Sequence, residues 1–231
     1  MKRIVTGAVL IVLLVLSAAA GTAQAASCGN CYARGYITNT GSSYGGGYVQ
    51  IAIRQLTTPD WPNPVQGHIN QTIWVTTDNT TRYSATPYWA EIGYTYGYHG
   101  TLSSDPTGMT YHWARNNPVN GYADFSLGRI DAVGTTHEFE AQQVFNGEYD
   151  VYLDGVDIGS DVNGGNWTLE VDTGLEYTDT AGTIQQTNFD WHQTRSTACC
   201  AWSYWSTGAT QNDFSYFTWT WTTLWNHAYN Q

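Results

Sequence analysis

Apolar and polar side chains alternate along much of this chain. Val49, Ile51 and Ile53 alternate with Gln50, Ala52 and Arg54, and Ile73 and Val75 flank Trp74. From Tyr88 onward, Tyr88, Ala90, Ile92, Tyr94, Tyr96 and Tyr98 form one set and Trp89, Glu91, Gly93, Thr95, Gly97 and His99 the other. Successive side chains of a strand point to opposite faces, so a period of two predicts strands. His137 to Phe145, then Asn146-Gly147, then Glu148 to Asp154 predicts a hairpin, because Asn-Gly supplies the positive φ of a type I′ turn. Asp154-Gly155 marks the next turn. Further strands are predicted over 167–173, 175–178 and 183–191. The aromatic tail from Ala201, with Trp202, Trp205, Trp219, Trp221 and Trp225, is expected to add one or two more. The stretch from Gly41 to Gly47 reads as a flexible lead-in.

Helical periodicity is nearly absent, and the abundance of Thr, Tyr, Trp, Gly and Asn favours strands and turns. Many short strands without intervening helices predict an all-β fold, an antiparallel β-sandwich or jelly roll of concanavalin-like type. No internal repeat and no linker divides residues 26–231, which read as a single domain with an aromatic-rich C-terminal tail.

The N-terminus changes the picture of where the chain works. Lys2 and Arg3 precede an aliphatic run from Val9 to Leu16, and Ala23-Gln24-Ala25 follows. That order is a secretory signal peptide with cleavage after Ala25, so residues 1–25 are expected to leave and the protein to be secreted. Lipidation at Cys28 is the weaker reading, because Ala25 stands where a Leu is expected. Nothing later in the chain is long and apolar enough to span a bilayer. Cleavage leaves six arginines and no lysine against nineteen acidic residues, a net charge of about −13. Such an acidic chain argues against nucleic acid or anionic membranes as partners and removes lysine chemistry. A monomer acting on a polypeptide or polysaccharide is expected.

Cys28, Cys31, Cys199 and Cys200 are the four cysteines. In an exported protein they are expected to form disulfides between the N-terminal and C-terminal pairs, since a vicinal bridge is strained. A four-cysteine zinc site is the disfavoured alternative, because adjacent Cys199 and Cys200 do not give normal ligand geometry.

No zinc-protease helix, P-loop or dinucleotide fingerprint occurs, so no cofactor and no metal is expected. The six glutamates are the informative residues. Glu91 shares its strand face with Trp89, Gly93, Thr95 and Gly97, and Glu176 with Gly174 and Thr178. Each carboxylate thus stands among small residues that leave room above the sheet, as acid/base chemistry requires. The plain alternative is two polar residues on a solvated face.

The order Trp74-Val75, Ala90-Glu91-Ile92-Gly93-Tyr94, Tyr149 to Gly155, then Leu175-Glu176 resembles the glutamic peptidases of the eqolisin type. Those are secreted β-sandwiches with a W-V-G-I-like strand, a Q-x-G strand, a hairpin region and a later strand bearing a catalytic Glu. The resemblance implies Glu91 and Glu176 as the catalytic pair, with Trp74, Trp89, Tyr94 and Tyr96 as candidate substrate contacts. Glu91 stands where that family has Gln, and a Glu/Glu pair is similar to the neprosin-type glutamic peptidases. Two neighbouring carboxylates split their titrations, so one proton is shared over a window of acidic pH. The same pattern fits two other classes. A jelly-roll glycoside hydrolase also uses two Glu and stacks sugars on rings such as Trp89, Tyr94, Tyr96, Tyr98, Trp113 and Trp191. A carbohydrate-binding or cell-surface module needs the rings but not the carboxylates.

Overall fold

The computed structural model describes residues 27–38, 44–57, 68–78, 80–97, 108–130, 133–145, 147–165, 168–179, 182–197, 201–206, 208–214, 217–221 and 226–230. These hold no helix and seventeen strands. They are β1 (Ser27–Thr38), β2 (Tyr44–Ala52), β3 (Leu56–Thr57), β4 (His68–Thr77), β5 (Tyr88–Gly97), β6 (Met109–Asn117), β7 (Gly121–Arg129), β8 (Thr136–Phe145) and β9 (Gly147–Leu153). There follow β10 (Val156–Gly165), β11 (Glu170–Asp179), β12 (Thr183–Ile184), β13 (Thr187–Ser196), β14 (Trp202–Tyr204), β15 (Ala209–Asn212), β16 (Phe217–Trp221) and β17 (Asn226–Asn230). The signal segment lies outside the described residues.

Two antiparallel sheets pack into a β-sandwich of jelly-roll type. The first has seven strands in the order β15-β1-β11-β4-β5-β6-β7. The second has eight, in the order β10-β9-β8-β2-β13-β17-β16 with β14 beside β13. A small pair, β3 with β12, stands apart from both.

The core is the meeting of two alternating faces. Ile69, Ile73, Val75, Ile92, Tyr94, Val171 and Leu175 of the first sheet are buried with Val49, Ile51, Phe139, Ala141 and Val151 of the second. Gly47 lets the sheets approach, for a Cβ there would sit 2.5 Å from Val171 Cγ1 and 2.9 Å from Ile73 Cδ1. The supposed lead-in therefore ends in strand: Tyr44 to Gly47 already belong to β2.

The Asp154-Gly155 turn has φ of +51° and +73° at its two central residues, the signs that a type I′ hairpin demands. The two strands expected over 167–173 and 175–178 are one strand, β11, which runs on through Gly174. Cys31 is buried and disulfide-bonded. Cys199, Cys200 and the side chain of Cys28 lie outside the described residues, as does the pairing expected of them.

Candidate active site

The outward face of the first sheet carries polar residues that are nevertheless buried. All ten residues of β4 are buried, although His68, Asn70, Thr72, Trp74 and Thr76 point away from the core. Hydrogen-bonded register fixes what lies beside them. One row across the sheet reads Tyr36, Asp172, Trp74, Glu91, Ala114 and Asp124. The next reads Arg34, Gly174, Thr72, Gly93, His112 and Ser126, and the third Tyr32, Glu176, Asn70, Thr95 and Thr110.

Glu91 and Glu176 thus share one face, at 1% and 6% exposure, on strands separated only by β4. Their partners on β4, Trp74 and Asn70, are four positions apart. Strand and residue spacings put their backbones about 16 Å apart on a flat sheet. Both carboxylates act on the same phenols: Glu176 and Glu91 raise the pKa of Tyr32 and of Tyr122. For Tyr32 the Glu176 charge is the largest cause, and for Tyr122 burial is, followed by Asp124.

Each glutamate stands beside a histidine. His68 Nε2 lies 3.6 Å from Glu176 Oε1. His112 Nδ1 lies 3.9 Å from Glu91 Oε1 and 3.5 Å from Asp124 Oδ1, and Tyr122 donates its hydroxyl to Asp124 Oδ2 at 3.2 Å. At the other end, Arg82 reaches from the β4–β5 connection onto β11, with Nη1 2.8 Å from Glu170 and 3.3 Å from Asp172. Arg34 Nε is 3.5 Å from the same Asp172 and its guanidinium covers the Tyr32 ring at 4.0 Å. Burial pushes the Asp172 carboxyl above its ordinary range against the pull of both arginines. Among the described residues, no three His, Cys, Asp or Glu side chains are placed to hold a metal ion.

Of the expected substrate contacts, Trp74 and Trp89 share the face of Glu91. Trp74 is buried against the edge of Tyr32, and Trp89 meets Tyr122 edge-on at 5.9 Å. Tyr94 and Tyr96 do not. They occupy even positions of β5, so they face the core; Tyr94 is fully buried and its hydroxyl accepts the Arg54 amide. The wider aromatic platform also disperses: Trp113 is in the core, Trp191 belongs to the second sheet, and Tyr98 lies outside the described residues.

The glycines beside the glutamates do not open the space expected of them. A Cβ on Gly93 would lie 2.1 Å from the Gln71 carbonyl oxygen, and one on Gly174 2.5 Å from that of Ala33. They permit close approach of neighbouring strands. His68, His112, Asp124, Asp172, Tyr32 and Tyr122, all brought in by cross-strand register, were not visible as partners in the sequence.

No protein-family model and no curated protein matches the sequence. Solved structures do match. Scytalido-glutamic peptidase, with a peptide-based transition state analogue, superposes with a TM-score of 0.56 at 10% identity, over 90% of this chain and 100% of that one. SCP-B, a member of the eqolisin family of peptidases in complex with the tripeptide Ala-Ile-His, gives 0.53 at 9% identity over the same shares. The fold is eqolisin-like. A Bacillus licheniformis β-glucanase aligns far more loosely, at 0.36 and 15% identity over 81% of this chain and 64% of its own. At such identities the likeness is one of fold, and within this eqolisin-like sandwich the buried polar face of the first sheet is the candidate site.

Proposed function

We propose that the chain is an exported, acid-active hydrolase of polypeptides that uses Glu91 and Glu176 as its acid/base pair. The observation that supports this is one face on which two buried glutamates, each beside a histidine, lie on strands separated by β4 alone. The mechanism works with one glutamate protonated and the other ionised. The ionised glutamate takes a proton from water as its oxygen attacks the scissile carbonyl. The protonated one hydrogen-bonds the developing oxyanion. When the C–N bond breaks, the leaving amine nitrogen takes the transferred proton.

In this reading residues 26–231 are the mature domain, stapled by disulfides between its two cysteine pairs. Polypeptide is taken as the substrate class because two proteins of like fold hold a peptide-based transition state analogue and a tripeptide. The test is hydrolysis of casein from about pH 2 to 7, the range over which carboxylates and histidine titrate. Cleavage in acid that fades toward neutrality and vanishes in Glu176→Gln is the expected result. No cleavage at any pH defeats the peptidase reading. Hydrolysis of xylan or glucan, lost in both Glu91→Gln and Glu176→Gln, makes the protein a glycosidase. Loss in Asp172→Asn but not in Glu176→Gln moves the pair to Glu91 and Asp172, which share a row.

A further inference from the structure

The outward face of the second sheet carries a different pattern. Register across five strands aligns Tyr152 of β9, Glu140 of β8, Tyr48 of β2, Gln193 of β13 and Tyr204 of β14 in one lateral row. Ring, carboxylate, ring, amide and ring alternate from strand to strand. Rings on every second strand are about 10 Å apart, the scale of two sugar units in an extended chain.

Trp191 lies at the end of this row. It sits where β13 slips register between Asp190 and Gln193, with φ of +58°. A bulky residue in that region is disfavoured by its own backbone. Burial does not explain it either, since the side chain is 51% exposed. It stands 5.7 Å from Tyr204, itself 62% exposed. A local rule broken without a packing gain marks a functional position. The other rings are held in place: Gln50 Nε2 donates to the Tyr48 hydroxyl at 3.1 Å, Tyr48 packs edge-on to Trp202, and Tyr152 donates to Asp150 at 3.2 Å.

We propose that this row, with Trp191, binds a neutral glycan chain laid across the strands. A pyranose offers an apolar C–H face to a ring and hydroxyls to flanking carboxylates and amides, which is the alternation displayed. At pH 8, above the raised values of Glu140 and Asp190, the carboxylates of Glu138, Glu140, Asp150 and Asp190 repel anionic polymers, and the binding measurements belong at that pH. A peptide that adds to a sheet runs along a strand edge, whereas this row runs across five strands hydrogen-bonded in turn. The site lies on the opposite side of the sandwich from Glu91 and Glu176 and does not depend on their role.

Titration of the folded protein with xylohexaose, cellohexaose and chitohexaose, read by tryptophan fluorescence and calorimetry, tests it. At least one neutral hexaose is expected to bind, and hexagalacturonate is not. Trp191→Gly should keep or raise the melting temperature, because glycine accepts that φ, while weakening binding at least tenfold. Tyr204→Ala and Tyr48→Ala should weaken it comparably, and Glu91→Gln with Glu176→Gln should leave it unchanged. Absence of binding to every neutral hexaose overturns the proposal, as does binding indifferent to Trp191→Gly and Tyr204→Ala. Binding lost in the glutamate variants instead puts the sugar on the first sheet. A Trp191→Gly protein that unfolds makes the ring a packing element and overturns its assignment.

Discussion

The two outward faces of the sandwich begin from the same alternation of residues and end as opposites. On the first sheet, charges are buried and set against one another: Arg34 and Arg82 against Asp172 and Glu170, His112 between Glu91 and Asp124, His68 beside Glu176. On the second, carboxylates and amides stay half in water between partly exposed rings. Arg82 crosses from a connection to lie over Tyr36, and Arg34 lies over Tyr32 and Trp74, so long side chains roof the first face. A buried charge is costly unless paired, so that face must be wired as a unit, whereas the other tolerates change residue by residue.

The largest expected effect is on activity. Glu176→Gln should abolish casein hydrolysis, and Glu91→Gln should retain part of it, because the eqolisins that the sequence resembles use Gln at that place. The assay is initial rate at the pH of maximal cleavage. If both variants keep wild-type rates, the first face is structural and the contrast between the faces loses its meaning.

The next effect is on stability. Arg82→Met strands Glu170 and Asp172 without the guanidinium that lies within 3.3 Å of both. Breaking a buried pair from one side costs about 3–5 kcal/mol, measurable by urea unfolding. A loss under about 1 kcal/mol would mean the roof is dispensable.

The second face should supply a gentler pH dependence. Burial pushes Glu140 up to about 7 and Asp190 up to about 6. A carboxyl with a raised folded pKa binds its proton more tightly in the native state, so stability increases as pH falls. The Glu140 contribution is fully present below about 4.5, its ordinary value, and disappears as pH rises through 7. The melting temperature should therefore be higher at pH 5 than at pH 8, and the difference should shrink in a Glu140→Gln, Asp190→Asn double variant. An unchanged difference would assign the slope to the first face.

The smallest effect is expected where the second face is most exposed. Glu138→Gln and Glu148→Gln should change neither hydrolysis nor stability by more than about 0.5 kcal/mol, the ordinary range for surface substitutions, as thermal melts and casein rates would show.

Much of the architecture is local and so was legible. The β8–β9 hairpin and the Asp154-Gly155 turn follow from residues that sit next to one another in the chain. The β5 alternation even held the answer to its own error: Glu91 is at an odd position and Tyr94 and Tyr96 at even ones, so parity alone separates them. β1, β6 and β7 were not predicted. In β7 the burial pattern is irregular, with Asp124 the single buried residue, so no hydrophobic stripe announces the strand. The site was half legible. Two glutamates among few stand out in composition, but His112 meets Glu91 only because β6 pairs with β5 in one register, and register between strands is a tertiary fact.

The place of β1 in the first sheet has a kinetic consequence. This strand opens the described chain, yet it lies between β11 and β15, pairing Arg34 with Gly174 on one side and with Gln211 on the other. The roof residues Tyr32, Arg34 and Tyr36 therefore have no sheet to join until β11, about three-quarters of the way along the chain, has emerged. Closure of such distant ends is entropically slow. The buried charges of the first face therefore assemble late, when β1 meets β11 across most of the length of the chain.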